Sequence, residues 1–265
     1  MARNNIPFVT IFSLSRCGST SIYRALNLHR ACKLVYEPDF SKDGEAGILD
    51  SYQNLRTEYT GMKHVWDPSG FPFRKEHRSE VTDLEEHCEK WISLNELLLS
   101  IPNQKILFLT RRDETSRIVS DLLGQATDIW GPESNASHSR EVGAEYLQKI
   151  SESAMVNLPI DTLRWYCDNI PKLNRRLHIA AEKNPVIDVH YEDLFGSKVS
   201  KEKKMDEFNS ILEFLELKSN ILNISLNKVA TIFAPSGKLN SVETYKRIQN
   251  IEIIKQEIGW VIPSE

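Results

Sequence analysis

Two uninterrupted apolar runs constrain this chain more than any other feature. Residues 7–14 and 105–110 (KILFLT) are short, nearly continuous and rich in β-formers. A strand with one solvated face alternates polar and apolar residues. A run without that alternation is buried on both faces, as in a parallel sheet covered by helices. Helical spacing follows: Ile22, Ala25 and Leu26 within 19–28, and Trp91, Leu94, Leu97 and Leu98 within 89–100, which Pro102 ends. The run 115–123 continues that pattern after the second strand. Weaker strands are expected at 33–36 and 62–66, and a third clear one at 186–190. A long helical pattern at 161–183 is interrupted by Pro171, another covers 205–217, and a last one runs 242–258. Strands alternating with helices make parallel βαβ units. The expectation is an α/β fold, a parallel sheet with helices on both faces, in a single domain spanning 1–265. Polar stretches at 67–86 and 126–140 are long enough to be functional loops.

Composition narrows the function classes. With 40% hydrophobic and 26% charged residues the chain can bury such a core. Lys and Arg total 33 against 37 Asp and Glu, a net charge of −4, which argues against nucleic acid held by bulk electrostatics. No apolar stretch reaches the roughly 18 residues of a membrane span. The apolar run at 6–14 reads as a strand rather than a secretory signal. Cys17, Cys32, Cys88 and Cys167 lack the spacing of a zinc site or disulfide framework. A cytoplasmic protein of a reducing compartment is expected.

The segment Ser13-Leu-Ser-Arg-Cys-Gly-Ser-Thr20 joins the first buried strand to its helix. Amides at such a turn converge on one point, and the helix dipole adds positive potential there. Gly18 lets an anion approach the backbone, and Ser19, Thr20 and Ser21 offer hydroxyls. The alternative is a tight turn whose serines only cap the helix. Against the Walker A pattern GxxxxGK[ST], Ser13 replaces the first glycine, Gly18 and Thr20 fit, and Ser19 stands where the lysine belongs. A kinase needs that lysine for the β- and γ-phosphates; here the cation is Arg16, inside the loop. The second strand ends on Arg111-Arg112-Asp113, with Ser120 eight residues beyond Arg112. A guanidinium fork and a hydroxyl two helical turns later can meet on one anion, or Arg112 and Asp113 can form an ordinary solvated pair.

Together these segments resemble the sulfotransferases that use 3′-phosphoadenosine-5′-phosphosulfate (PAPS), in their bacterial and carbohydrate-type branch. The 5′-phosphosulfate loop of that family reads [KR]-small-Gly-[ST]-[ST] after a buried strand, and its 3′-phosphate motif separates Arg and Ser by the eight positions of Arg112 and Ser120. The resemblance covers residues 9–247, and only these two motifs are specific. It implies a P-loop NTPase-like three-layer sandwich, PAPS as donor, its bisphosphate PAP as product, no metal, and a hydroxyl of a small molecule, sugar or lipid as acceptor. By the same resemblance Arg16 stabilises the breaking bond, Cys17 fills space, and Gly18, Ser19, Thr20 and Ser21 hold the 5′-phosphate. The strand ending in Tyr191-Glu-Asp-Leu194 and the late loop Ser236-Gly-Lys238 match family segments near the nucleotide, which adds Tyr191 and Lys238. For the base that takes the acceptor's proton, Glu37 in Val35-Tyr-Glu-Pro38 comes first and His64 second, with Lys63 beside it facing donor or acceptor. Trp66, Phe71, Phe73 and Trp130 are candidate walls of an acceptor pocket, or local core. Two further readings stay open, a P-loop small-molecule kinase and a catalytically silent nucleotide-binding protein.

Overall fold

The computed structural model describes residues 7–38, 40, 44–68, 84–127, 152, 155–218, 226–233 and 242–262. The chain divides into two compact units, residues 1–110 with 173–233, and residues 111–172 with 234–265. In chain order the elements are β1 (Phe8–Leu14), α1 (Ser19–Asn27), β2 (Leu34–Tyr36), α2 (Gly44–Glu58), β3 (Gly61–Trp66), α3 (Leu84–Ser100), β4 (Gln104–Thr110), α4 (Glu114–Thr127), α5 (Ile160–Ala181), β5 (Val186–His190), α6 (Tyr191–Phe195), α7 (Lys201–Phe214), α8 (Leu226–Ile232), α9 (Val242–Tyr245) and α10 (Ile251–Ile258).

The first unit is built on a five-stranded, all-parallel sheet in the order β2-β3-β1-β4-β5. All seven residues of β1 are buried, as its unbroken apolar run requires. From β1 the chain steps across to β2, then returns through β3, β4 and β5 in the opposite direction. Right-handed crossovers place helices of opposite steps on opposite faces. The side chains agree. Phe12, His64 and Phe108 share one face, where His64 meets Asn95 of α3 and Phe108 meets His178 of α5. Lys63 and Lys105 point to the other, where Lys63 lies on Tyr36, which packs on Tyr23 of α1, and Lys105 bonds the Phe214 carbonyl at the end of α7. Phe195, Phe208 and Phe233 join α6, α7 and the end of α8 in the layer of α1. The expected α/β architecture, a parallel sheet flanked by helices, is the one found.

Between the sheet and helices α2 and α3 lies a core of Phe8, Met62, Ile48, Tyr52, Trp91 and Leu98. Each such side chain contributes roughly 1.5–3 kcal/mol when fully buried. Gln104, at the start of β4, ties that layer to the sheet. Its amide donates to the Leu98 and Ile101 carbonyls at the end of α3, both at 2.9 Å, and its oxygen accepts from Thr10. Arg176 of α5 clamps Glu89 and Glu96 of α3.

In the second unit Asp113 caps α4, accepting the Ser116 amide at 3.1 Å. The Trp260 indole donates to the Ser116 hydroxyl at 2.9 Å. Asn250 bonds both the amide and the carbonyl of Leu158, and Val156 pairs in parallel with Ile248.

Three differences from the sequence reading have physical reasons. The single helix expected over 242–258 is two, because the chain turns at 246–250 to pair Ile248 with Val156. Pro171 sits inside α5 without ending it; it removes one backbone donor, and the packing of the helix on both sides of it compensates. Helix α2 was not foreseen, since its inward face offers only Ile48, Tyr52 and Leu55. Among the described residues no helix is long and apolar enough to cross a membrane.

Replacing Gln104 by Ala removes the short donor to the Leu98 carbonyl, which keeps only the 3.4 Å bond from the Ile101 amide, and takes the buried acceptor from Thr10, while the Ile101 carbonyl retains Asn184, a cost of about 1–3 kcal/mol. The urea midpoint of the Gln104→Ala variant should therefore fall while its m-value stays unchanged; an unchanged midpoint would show that water replaces the amide.

Candidate functional site

In an open parallel sheet, ligands bind beyond the carboxyl ends of the strands, where neighbouring connections leave in opposite directions. Here that place is the end of β1, between β3 and β4. The loop 15–18 follows directly. Arg16 and Gly18 both adopt left-handed backbone conformations, φ 65° and 79°, and Cys17 between them does not. Left-handed residues of this kind recur in turns whose successive amides face one side. The amides of Ser21 and Ile22 both bond the Gly18 carbonyl, at 3.0 and 3.3 Å. The amides of Ser19 and Thr20 thus precede the first intrahelical bond. Gly18 provides no side-chain cap, and the first turn of α1 has no acidic residue to offset its dipole.

Gly18 is required twice over. An L-residue at φ 79° is strained, and a Cβ there would lie 2.5 Å from Cε2 of Phe195. Phe195 ends α6, the short helix formed by the Tyr191-Glu-Asp-Leu segment, and Tyr191 stacks on it at 4.8 Å. This segment therefore supports the loop from behind. Cys17 is buried and fills space. The hydroxyl of Ser13, at the end of β1, is buried without a hydrogen-bond partner among the described residues, the kind of group that water or a ligand ordinarily satisfies.

At the end of β2, Glu37 has φ 41° and its amide bonds the Lys63 carbonyl of β3. Its carboxylate pairs with the Lys63 ammonium; the lysine is 2% exposed and the glutamate 25%. That ammonium also lies 4.0 Å from the centre of the Tyr36 ring. The Tyr36 hydroxyl reaches Thr20 Oγ1 in the first turn of α1 in a long contact of 3.5 Å. The structure thus groups Thr20, Tyr36, Glu37 and Lys63.

His64 is not in this group. Its neighbour Lys63 faces α1, so alternation turns His64 to the opposite side, against α3. There it is fully buried, stacked on Phe12 at 5.4 Å, with Nε2 2.8 Å from Asn95 Oδ1. Burial pulls its pKa down to about 4. This is a core histidine, which corrects its selection as the alternative base. Trp66 is likewise core, beside Phe12 at 6.4 Å, rather than a pocket wall. Arg112 is exposed in the turn before α4, whereas Ser120 is buried within that helix. Asp113 caps α4 rather than merely facing solvent. Lys238, Phe71, Phe73 and Trp130 lie outside the described residues, as does most of the two polar loops.

Two residues at the carboxyl edge of the sheet were not singled out from sequence. Asp67, buried, directly follows β3, the neighbour of β1. His190 ends β5, with Nδ1 2.9 Å from the Thr110 hydroxyl at the end of β4. Either could have been found by asking which polar residue follows each strand. Burial pushes the thiols of Cys32 and Cys88 up, to about 12 and 11, so neither is a thiolate at neutral pH. Comparison of the chain with models of known families, with curated proteins and with solved structures finds no match.

Two outcomes follow. Gly18→Ala should destabilise the protein by roughly 1–2 kcal/mol from backbone strain alone, and truncating Phe195 in the same chain should relieve the clash but not the strain; thermal melting of the single and double variants measures both. His64 has a folded pKa below its unfolded value, so its contribution is present above about pH 6.5 and lost as pH falls through about 4. Over that window the loss is on the order of 3 kcal/mol, and melting temperatures of His64→Gln against pH should lack that component.

Proposed function

We propose that this protein is a sulfotransferase that moves the sulfuryl group of PAPS to a hydroxyl of a small-molecule, sugar or lipid acceptor. The observation that carries the reading is the β1–α1 loop at the central strand's carboxyl end, in which Arg16 and Gly18 are left-handed and the Ser19 and Thr20 amides precede the first intrahelical bond. Its cation is an arginine within the turn, and a serine stands where a triphosphate-binding lysine belongs.

In this reading the Ser19 and Thr20 amides, with the hydroxyls of Ser19, Thr20 and Ser21, hold the 5′-phosphate. The acceptor oxygen attacks sulfur in line, an O–S bond forms, and the bond to the bridging oxygen breaks. Negative charge gathers on that oxygen, where Arg16, always protonated, helps the transition state more than the ground state. The acceptor's proton passes to the Glu37 carboxylate, and PAP leaves. Arg112, Ser120 and Lys238 are assigned to the 3′-phosphate, and Tyr191 to the nucleotide pocket, by motif alone. The active form requires no metal in this scheme, and the location is cytoplasmic.

One observation favours a second reading, a P-loop small-molecule kinase. Asp67 follows the strand beside β1, the position from which an acidic residue holds Mg²⁺ in P-loop NTPases.

Thermal shift separates the two. PAP at a hundredfold excess over its Kd should stabilise the protein by about 2.7 kcal/mol, a rise of several degrees in melting temperature. Stabilisation by ATP–Mg²⁺ alone would instead select the kinase. Arg112→Ala should weaken PAP far more than adenosine 5′-phosphate, which lacks the 3′-phosphate, and equal losses would remove Arg112 from the site.

A further inference from the structure

The pairing of Glu37 with Lys63 is asymmetric, and the asymmetry has consequences. Lys63 lies almost wholly inside the first unit, while a quarter of the Glu37 side chain reaches solvent. A lysine so placed bears a large desolvation cost that only its partners offset. Those partners are the Glu37 carboxylate and the face of Tyr36. Glu37 for its part sits in a left-handed conformation that a non-glycine residue does not adopt without surrounding constraint. Two bonds fix it to the same residue of β3, backbone amide to the Lys63 carbonyl and carboxylate to the Lys63 ammonium. Tyr36 extends the connection to Thr20, in the first turn of the helix that follows the anion loop.

We propose that Lys63 is a positioning residue of the site: it holds the Glu37 carboxylate in the orientation needed to take the acceptor's proton, in fixed relation to the α1 loop. The inference rests on the reading of Glu37 as the base. Lys63 itself touches neither donor nor acceptor in this account and takes no part in the proton transfer.

The test uses the full chain, PAPS as the donor and water as the acceptor, with release of PAP as the measured rate. Lys63→Met should lower kcat between about ten- and a hundredfold, the range that misplacement of a reacting group by an ångström produces, with KM for PAPS within about twofold. In a Glu37→Gln background the same substitution should cause no further loss. Equal losses in both backgrounds, or a matching rise in KM, would overturn the positioning role while leaving Glu37 as the base. A Glu37→Gln variant with undiminished kcat would overturn the base assignment instead, and a wild-type chain that PAP fails to stabilise in thermal shift would overturn the sulfotransferase reading itself. Melting temperatures give an independent measurement. Glu37→Gln strands a buried ammonium, whereas Lys63→Met leaves a carboxylate that can reach water. Glu37→Gln should therefore melt lowest, and adding Lys63→Met to it should raise the melting temperature; a further fall would overturn the pairing.

Discussion

Burial of β1 on both faces is the constraint from which the first unit follows. A strand flanked by β3 and β4 and covered by helical layers above and below has no solvated edge or face. Its backbone polar groups are therefore spent on two ladders, and its side chains on two cores. At its carboxyl end the ladders stop after Leu14. The chain must turn sharply there to enter α1, and the left-handed residues Arg16 and Gly18 accomplish that turn. Phe195 then packs where a side chain on Gly18 would be, so the turn is braced by a segment nearly 180 residues away in sequence.

The same alternation that buries β1 sorts the polar residues of β3. Lys63 and His64 are neighbours, yet one serves the α1 layer and the other the α3 layer. Each is buried, and each meets its desolvation cost differently. The histidine stays neutral, stacked on an aromatic ring and bonded to an asparagine. The lysine ammonium lies between a carboxylate and a tyrosine face. Two adjacent polar residues thus have unrelated jobs, which a list of polar residues along the chain would not reveal.

How much was legible depended on the kind of signal. The strands β1 and β4 were visible because burial on two faces removes polar residues and leaves a continuous run, and the edge strand β5 because Val186, Ile187 and Val189 are β-branched. The turn after β1 was visible because a glycine followed by hydroxyl residues marks a sharp strand-to-helix turn. Helix α2 was hidden because its inward face needs only three apolar residues. Whether His64 or Lys63 faces the turn was also hidden, since period-two alternation orders residues within a strand but does not say which face belongs to which layer. The strand register supplies that fact. The role of Asp113 as a cap could have been read from its place before a helical run, but the arginines beside it drew a different interpretation.

The two units are interleaved along the chain: 1–110, then 111–172, then 173–233, then 234–265. On the ribosome, where N-terminal segments emerge first, neither unit is whole when its first half appears. The sheet waits for β5, which lies beyond the first segment of the other unit, and α4 waits for Trp260, which lies in the second segment of its own unit. Both units thus have halves that must stay unassociated with wrong partners until their second segments are made, and a stop anywhere before residue 234 leaves the second without its closing half.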